Sequence, residues 1–106
     1  MKTRYLIAMT AALSVSAVAF AAGEGEAMFK KSNCGSCHAV DKKTVGPSLV
    51  DIAAKYKGDK GAQATLEAKV RSGGKGSFGP IPMPATAKSV SDGDIKAIVT
   101  WILDRK

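Results

Sequence analysis

Both cysteines and the only histidine of this 106-residue chain lie within five positions, in the run Cys34-Gly35-Ser36-Cys37-His38. A disulfide between cysteines three residues apart would close so short a loop that it constrains the unfolded chain very little. A small domain buries too little apolar surface by itself and usually needs a disulfide, a metal or a cofactor. Something other than a disulfide must therefore supply the core that this small chain lacks.

The first 21 residues have the layout of a secretory signal peptide. A short basic start is followed by the apolar residues 6–20, and Ala19 and Ala21 occupy the small-residue positions of a cleavage site. An uncleaved membrane anchor is the alternative, but a spanning helix needs about 20 strongly apolar residues, and this stretch is shorter and rich in hydroxyl groups. Cleavage after Ala21 predicts an exported protein with one mature domain, residues 22–106.

The chain is basic, with a formal net charge of +7 at pH 7. Such a balance fits nucleic acid, an anionic membrane or an acidic protein as a partner. An exported protein does not normally meet nucleic acid, and the lysines are scattered without aromatic residues between them. We therefore expect no nucleic-acid binding, no stable membrane insertion after cleavage, and a basic surface that is mostly solvated.

Apolar periodicity in the mature chain predicts an all-α fold, with no segment of the alternation that is typical of β-strands. Ser48 follows the chain break at Gly46 and Pro47, and its hydroxyl group can cap a helix. The last helix is expected to start at Ser91, with Asp92 and Asp94 favourably placed in its first turn. Between Gly73 and Ser89 the chain is rich in glycine and proline and has no periodicity, and so long a loop in a small domain tends to be functional or disordered. The predicted helices cover residues 24–32, 48–56, 62–71 and the segment from Ser91 to the C-terminal end, which carries Ile95, Ile98, Val99 and Ile102 on its apolar face.

Four kinds of site can explain the cysteines and His38. A zinc site needs further Cys or His ligands, which this chain lacks. A thioredoxin-like dithiol expects a strand–helix setting, and a structural disulfide gives no role to His38. The fourth is covalent haem attachment, in which both thiols bond to vinyl groups and the adjacent imidazole binds the iron. On one helical turn Cys34 and Cys37 share a face and His38 points to the ring centre, so the spacing favours haem.

A haem bound in this way would supply the apolar centre that the small chain lacks, and its iron would have a second axial position. Methionine is the strong ligand left, because the chain has no second histidine and no free cysteine. Two of the four methionines leave with the signal peptide, and Met28 lies on the helix that leads into Cys34, where we expect it to fill the core. Met83 lies in the long loop within the sequence GPIPMP, whose prolines stiffen the backbone. Elimination therefore predicts Met83 as the sixth ligand.

The combination of CGSCH, VGPSL, GSFGPIPMP and the C-terminal TWILDRK resembles the small bacterial class I cytochromes c of the cytochrome c-551/c-552 type, the cytochrome c8 family. The resemblance extends over essentially the whole mature chain. It implies about four helices wrapped around one haem c, which is bound covalently through Cys34 and Cys37. His38 and Met83 would be the axial ligands of the iron. The resemblance also implies that the carbonyl group of Pro47 accepts a hydrogen bond from the proximal imidazole.

Three further positions match haem contacts of this family. Phe78 stands where the family usually has a tryptophan whose indole N–H lies near a haem propionate, and Lys69 stands where an arginine often serves the propionates. Ile81 belongs to the matching GPIPM sequence. After Met83 the family commonly has Pro-Pro-Asn, whereas this chain continues Pro-Ala-Thr-Ala-Lys. The propionate hydrogen bonds and the orientation of the Met83 sulfur are therefore the features expected to differ.

Filled axial positions leave no open site for a substrate, which favours electron transfer over catalysis. We predict a periplasmic, monomeric electron carrier that is not an enzyme. The resemblance implies redox proteins as partners: a cytochrome bc complex as donor, and a terminal oxidase, nitrite reductase or cytochrome c peroxidase as acceptor. Two alternatives stay open, a haem enzyme or gas sensor in which Met83 dissociates, and a thiol-disulfide oxidoreductase.

Overall fold

The computed structural model describes residues 16–106, and side chains from Gly23 onward. This part of the chain is helical and contains no β-strand, only one isolated bridge between Gly74 and Met83. Its elements are α1 (Ser16–Lys31), a short 3-10 helix (Cys34–Ser36), α2 (Leu49–Lys55), α3 (Ala62–Ser72) and α4 (Asp92–Leu103). The predicted all-α class with about four helices is confirmed.

Helix α1 begins earlier than the helix predicted over residues 24–32. Its backbone is helical from Ser16, so it spans the predicted cleavage site after Ala21. The reason is local, because this segment is rich in alanine, the residue of highest helix propensity. The first fifteen residues of the predicted signal peptide lie outside the described residues. Within residues 16–106, none of the helices combines the length and the apolarity needed to cross a bilayer.

Serine hydroxyl groups cap the start of two helices, at Ser48 as predicted and at Ser91, where only the start of the helix was predicted. Ser48 Oγ accepts a hydrogen bond from the Asp51 amide at 3.0 Å, and Ser91 Oγ accepts one from the Asp94 amide at 3.1 Å. These bonds satisfy amide groups that have no partner within the first turn of a helix. Gly73 follows the last residue of α3, and its φ of 72° is a left-handed conformation that favours glycine.

Helix α4 is the central helix, because α1, α2 and α3 all contact it. Helix α1 crosses it closely at Gly25, where a Cβ atom would lie 2.6 Å from the Trp101 Cβ and would overlap the carbonyl oxygen of Ala97. Beside this crossing, the rings of Phe29 and Trp101 pack with their centroids 5.1 Å apart. Gly25 therefore allows the two helix backbones to approach each other.

The apolar faces of the helices form the core. On α4 the predicted face is buried, since Ile95, Ile98 and Val99 are at most 1% exposed. Leu49 at the start of α2 is also fully buried. These side chains do not fill a solid centre, because Leu49, Ile98 and Val99 also line a cavity.

Candidate functional site

Residues 34–38 fold into a compact turn directly after α1. The amides of Cys37 and His38 donate to the Cys34 carbonyl oxygen at 3.2 and 3.0 Å. Asn33 joins α1 to this turn with a φ of 63°, a left-handed conformation that asparagine tolerates better than most residues. Three chemically active side chains are thereby held on one short turn.

The two cysteines are half-buried and form no disulfide with each other. Burial raises the pKa of the Cys34 thiol above its usual value, while a backbone hydrogen bond at Cys34 opposes the change and the neighbouring Cys37 adds to it. The Cys34 thiol is therefore neutral at neutral pH. Both sulfur atoms are available for covalent attachment.

The ring of His38 is oriented by the backbone of Pro47. Its Nδ1 lies 2.8 Å from the Pro47 carbonyl oxygen, which can only accept, so Nδ1 carries the hydrogen and donates it. Nε2 of the neutral ring then keeps its lone pair for a metal. Gly46 permits this approach, since a Cβ there would lie 2.7 Å from His38 Cε1. The Gly46 amide also donates to the Cys37 carbonyl oxygen at 2.7 Å, which folds the loop back onto the turn.

The backbone of Met83 is fixed to the C-terminal end of α3. Its amide donates to the Gly74 carbonyl oxygen at 2.7 Å, and the Gly74 amide donates to the Met83 carbonyl oxygen at 3.0 Å. Gly73 lies directly against this pair, because an added Cβ would overlap the Met83 carbonyl oxygen. Further along, the Thr86 amide donates to the Val70 carbonyl oxygen at 3.2 Å. The long loop is therefore attached to α3 at Met83 and again just beyond it.

These segments surround a cavity of about 360 Å³, within the range of about 300–1,000 Å³ found for cofactor sites. Its walls are mainly apolar and come from all four α-helices: Phe29, Leu49, Ile52, Leu66, Val70, Ile98, Val99 and Ile102. All eight site residues predicted from the sequence line it: Cys34, Cys37, His38, Pro47, Lys69, Phe78, Ile81 and Met83. Met28 is not among the lining residues, and it packs against the hydrophobic core, as expected.

Cationic side chains line the mouth of this cavity. Lys43 and Lys75 are exposed and Lys69 is half-buried, and Asp51 is the acidic residue in the lining. Phe78, 41% exposed, forms part of the rim. An apolar interior with a cationic mouth suits a flat apolar group that carries carboxylate substituents.

Lys55 is a contact of this rim that sequence reasoning missed. Its ammonium group donates to the Ser77 carbonyl oxygen at 2.5 Å and lies 4.5 Å from the centroid of the Phe78 ring. Phe78 cannot donate a hydrogen bond, but it brings a cation to its side of the cavity. Tyr56, the next residue, lines the cavity itself. Tyr56 lies at the end of the apolar face of α2, which was the available signal for that residue, but nothing local in the sequence pairs the exposed Lys55 with residues 77–78.

The Cytochrome c family model matches residues 22–106 of the chain. This chain belongs to the cytochrome c family. It is 40% identical to cytochrome c-551 of Pseudomonas aeruginosa and 45% identical to cytochrome c-552 of Nitrosomonas europaea, in each case over 106 residues and the whole of both chains. The crystal structure of wild-type Nitrosomonas europaea cytochrome c552 matches with a TM-score of 0.72 at 47% identity, and covers 76% of this chain and 99% of that one.

As a member of this family, the chain carries one covalently attached haem c, and its function is electron transfer rather than catalysis. The residues of this chain fit that group, because two thiols and an imidazole on one turn share an apolar cavity with a thioether side chain. The family resemblance, the fold class and the cofactor inferred from the sequence are therefore confirmed. The alternatives raised from the sequence give way to electron transfer.

Proposed function

We propose that this cytochrome c is a periplasmic one-electron carrier whose haem iron has His38 and Met83 as axial ligands. Cys34 and Cys37 form the two thioether bonds. The observation that carries the proposal is that these four side chains line one cavity, although they come from two separate segments. When bound, haem c supplies a one-electron couple, whose potential His/Met ligation raises.

The hydrogen bond to Pro47 determines how His38 can bind iron. With the hydrogen on Nδ1, the free lone pair is on Nε2, and the ring cannot rotate without breaking the 2.8 Å bond. Such a bond also increases the basicity of the imidazole. His38 therefore contributes a strong and oriented ligand on the side of covalent attachment.

Met83 contributes a weaker bond, so its backbone has to be held in place. The paired hydrogen bonds with Gly74 fix the residue itself, and the prolines at 80, 82 and 84 restrict the backbone on both sides. A ligand pair that stays in place leaves no coordination site for a substrate. This arrangement suits a carrier that only gains and loses an electron.

We also propose that the chain is exported and cleaved after Ala21. The basic start, the apolar stretch and the small residues at the cleavage site support export, and the family match begins at residue 22. Cleavage would leave residues 22–31 as the first helix. That segment keeps the contacts of Gly25 and Phe29 with α4.

The partners of the carrier are proposed to be acidic redox proteins that dock transiently at the cavity mouth. Exposed apolar side chains, Phe78 and Ile81, lie there beside exposed lysines. Transient electron-transfer complexes bury less than about 1,200 Å² and are steered by charge. By family relationship the candidates are a cytochrome bc complex, a terminal oxidase, a nitrite reductase and a cytochrome c peroxidase. We propose that the carrier docks with each of them as a monomer.

Three measurements on the purified holoprotein test this function. Acid-acetone treatment should leave the haem on the polypeptide, and the ferric protein should be low-spin with the weak near-infrared band of a sulfur–iron bond. The mass should correspond to a chain that starts at residue 22. Extraction of the haem would contradict covalent attachment, a high-spin ferric spectrum would contradict the axial pair, and a mass that includes Met1 would contradict cleavage.

A further inference from the structure

Arg71, in the last turn of α3, reaches the segment that connects Met83 with α4. Its Nη1 donates to the Ala87 carbonyl oxygen at 3.2 Å. Its Nη2 donates to the Val90 carbonyl oxygen at 2.7 Å and to a carboxylate oxygen of Asp92 at 2.8 Å. One side chain therefore holds the connecting segment at two points and the first residue of α4 at a third.

The two hydrogen bonds from Arg71 to backbone carbonyl groups hold the segment more strongly than its ion pair with Asp92 does. The Asp92 side chain is 95% exposed, whereas that of Arg71 is 30% exposed. An ion pair with an exposed partner contributes little to the free energy of unfolding. A charged donor makes stronger hydrogen bonds to carbonyl groups than a neutral one does. The planar guanidinium group also presents several donors in a fixed arrangement, which a lysine ammonium group does not.

The segment that Arg71 holds, residues 84–91, begins directly after Met83. The Thr86 amide is bonded to α3, and beyond it the contacts of Arg71 attach the chain to the same helix. Three of the five residues in the run Pro-Ala-Thr-Ala-Lys are proline or alanine, whose side chains cannot form hydrogen bonds. The Val90 amide donates to the Ala87 carbonyl oxygen at 3.0 Å within the segment, and Val90 packs against the core. The side-chain hydrogen bonds that hold the two carbonyl groups of this turn to α3 come from Arg71.

We propose that Arg71 is a positioning residue for Met83, because it holds residues 84–91 against α3. The proposal rests on the ligation by Met83 proposed above. If residues 84–91 were not attached to α3, the loop would populate open conformations in which the Met83 sulfur leaves the iron. An external ligand could then take its place.

Imidazole added to the ferric holoprotein competes with Met83 for the iron and so measures this equilibrium. Arg71→Gln should raise the affinity for imidazole at least tenfold, which corresponds to about 1.4 kcal/mol. It should also weaken the near-infrared sulfur–iron band. Arg71→Lys keeps the charge without the guanidinium group, so it should give an intermediate affinity, and it replaces Arg71→Gln if that variant does not accumulate.

Arg105→Gln is the matched control. The Arg105 side chain is 27% exposed, donates to the Trp101 carbonyl oxygen at 3.0 Å and lies 4.6 Å from the Trp101 ring, outside the cavity lining. Its loss should lower Tm and leave the affinity for imidazole unchanged. Asp92→Asn removes the ion pair but keeps both carbonyl contacts of Arg71, so it too should leave that affinity unchanged.

The proposal is overturned if both Arg71 variants bind imidazole as the wild type does. It is also overturned if Asp92→Asn raises the affinity as much as Arg71→Gln, because the ion pair would then be the effective contact. A wild-type ferric protein without the near-infrared band would instead contradict ligation by Met83 itself. The failure of this inference and the failure of the proposed function are therefore distinguishable.

Discussion

The imidazole Nδ1 of His38 lies 2.8 Å from the carbonyl oxygen of Pro47, nine residues along the chain. The two residues meet because the intervening loop folds back, with the Gly46 amide bonded to the carbonyl oxygen of Cys37. The bond selects the tautomer in which Nε2 is the metal ligand. The orientation of the proposed proximal ligand therefore depends on the backbone of a loop and on the absence of a side chain at Gly46.

Gly46→Ala should displace His38, because the new Cβ would lie 2.7 Å from Cε1 and 3.0 Å from Nδ1 of the ring. Overpacking of this kind costs about 1–3 kcal/mol of unfolding free energy. Denaturant unfolding of the ferric holoprotein should show this loss, and its reduction potential should shift. Gly93→Ala in α4, where the nearest atom would be 3.8 Å away, should change stability by less than about 1 kcal/mol and leave the potential unchanged. An unaltered potential in Gly46→Ala would contradict the role of this contact.

Gly73→Ala should weaken the bond between Met83 and the iron more than Gly74→Ala does. Both glycines have positive φ, 72° and 138°, so each alanine pays roughly 1–3 kcal/mol of backbone strain. The Gly73 variant alone also places a Cβ on the Met83 carbonyl oxygen, whereas a Cβ at Gly74 meets no atom within 4 Å. The near-infrared band of the ferric variants measures the difference. Equal bands in the two variants would show that the contact with Met83 is unimportant.

Local patterns in the sequence were sufficient to predict much of this structure. The cap at Ser48, the start of the last helix at Ser91 and the buried stripe on α4 were predicted, because capping and apolar periodicity are properties of a few neighbouring residues. The grouping of the cysteines with His38 was equally local. The predicted start of the first helix, at residue 24, was wrong, because the alanine-rich segment from Ser16 onward is helical as well.

Contacts between distant, non-periodic segments could not be predicted in the same way. The pairing of Gly74 with Met83, the reach of Lys55 to Phe78 and the contacts of Arg71 all involve the loop between α3 and α4. That loop has no periodicity, and its register against α3 depends on backbone conformations at glycine residues. The family resemblance supplied the site residues of the loop, but it did not supply Lys55 or Arg71.

Gly25→Ala should destabilise the protein, because its Cβ would overlap the Ala97 carbonyl oxygen and lie 2.6 Å from the Trp101 Cβ. We expect a loss of about 1–3 kcal/mol, since the crossing of α1 and α4 has to widen. Gly23→Ala is the control, with no atom within 4 Å of its Cβ. It should be neutral or stabilising by up to about 1 kcal/mol, because alanine favours helix. Thermal unfolding that ranks the two variants equally would contradict the close crossing.

Charge reversal at the cavity mouth should slow electron transfer to an acidic redox partner. Lys75→Glu should lower the bimolecular rate roughly tenfold at low ionic strength. The difference should shrink as salt is added, because exposed charges are screened within about 10 Å at 0.1 M. Lys96→Glu changes the net charge equally, but Lys96 is outside the cavity lining and should have a much smaller effect. Equal slowing by both variants would indicate that net charge alone steers the encounter.

The near-infrared spectrum of ferric Met83→Ala, compared with that of Met28→Leu, tests the proposed ligand set most directly. Met83 lines the cavity and Met28 does not. Met28 packs against the core, where exchange for leucine costs under about 1.5 kcal/mol. Met83→Ala should keep the haem covalently attached, lose the sulfur–iron band, lower the reduction potential and allow the ferrous protein to bind carbon monoxide. Met28→Leu should retain the band and all other properties of the wild type. A band that survives in Met83→Ala and disappears in Met28→Leu would contradict Met83 as the axial ligand.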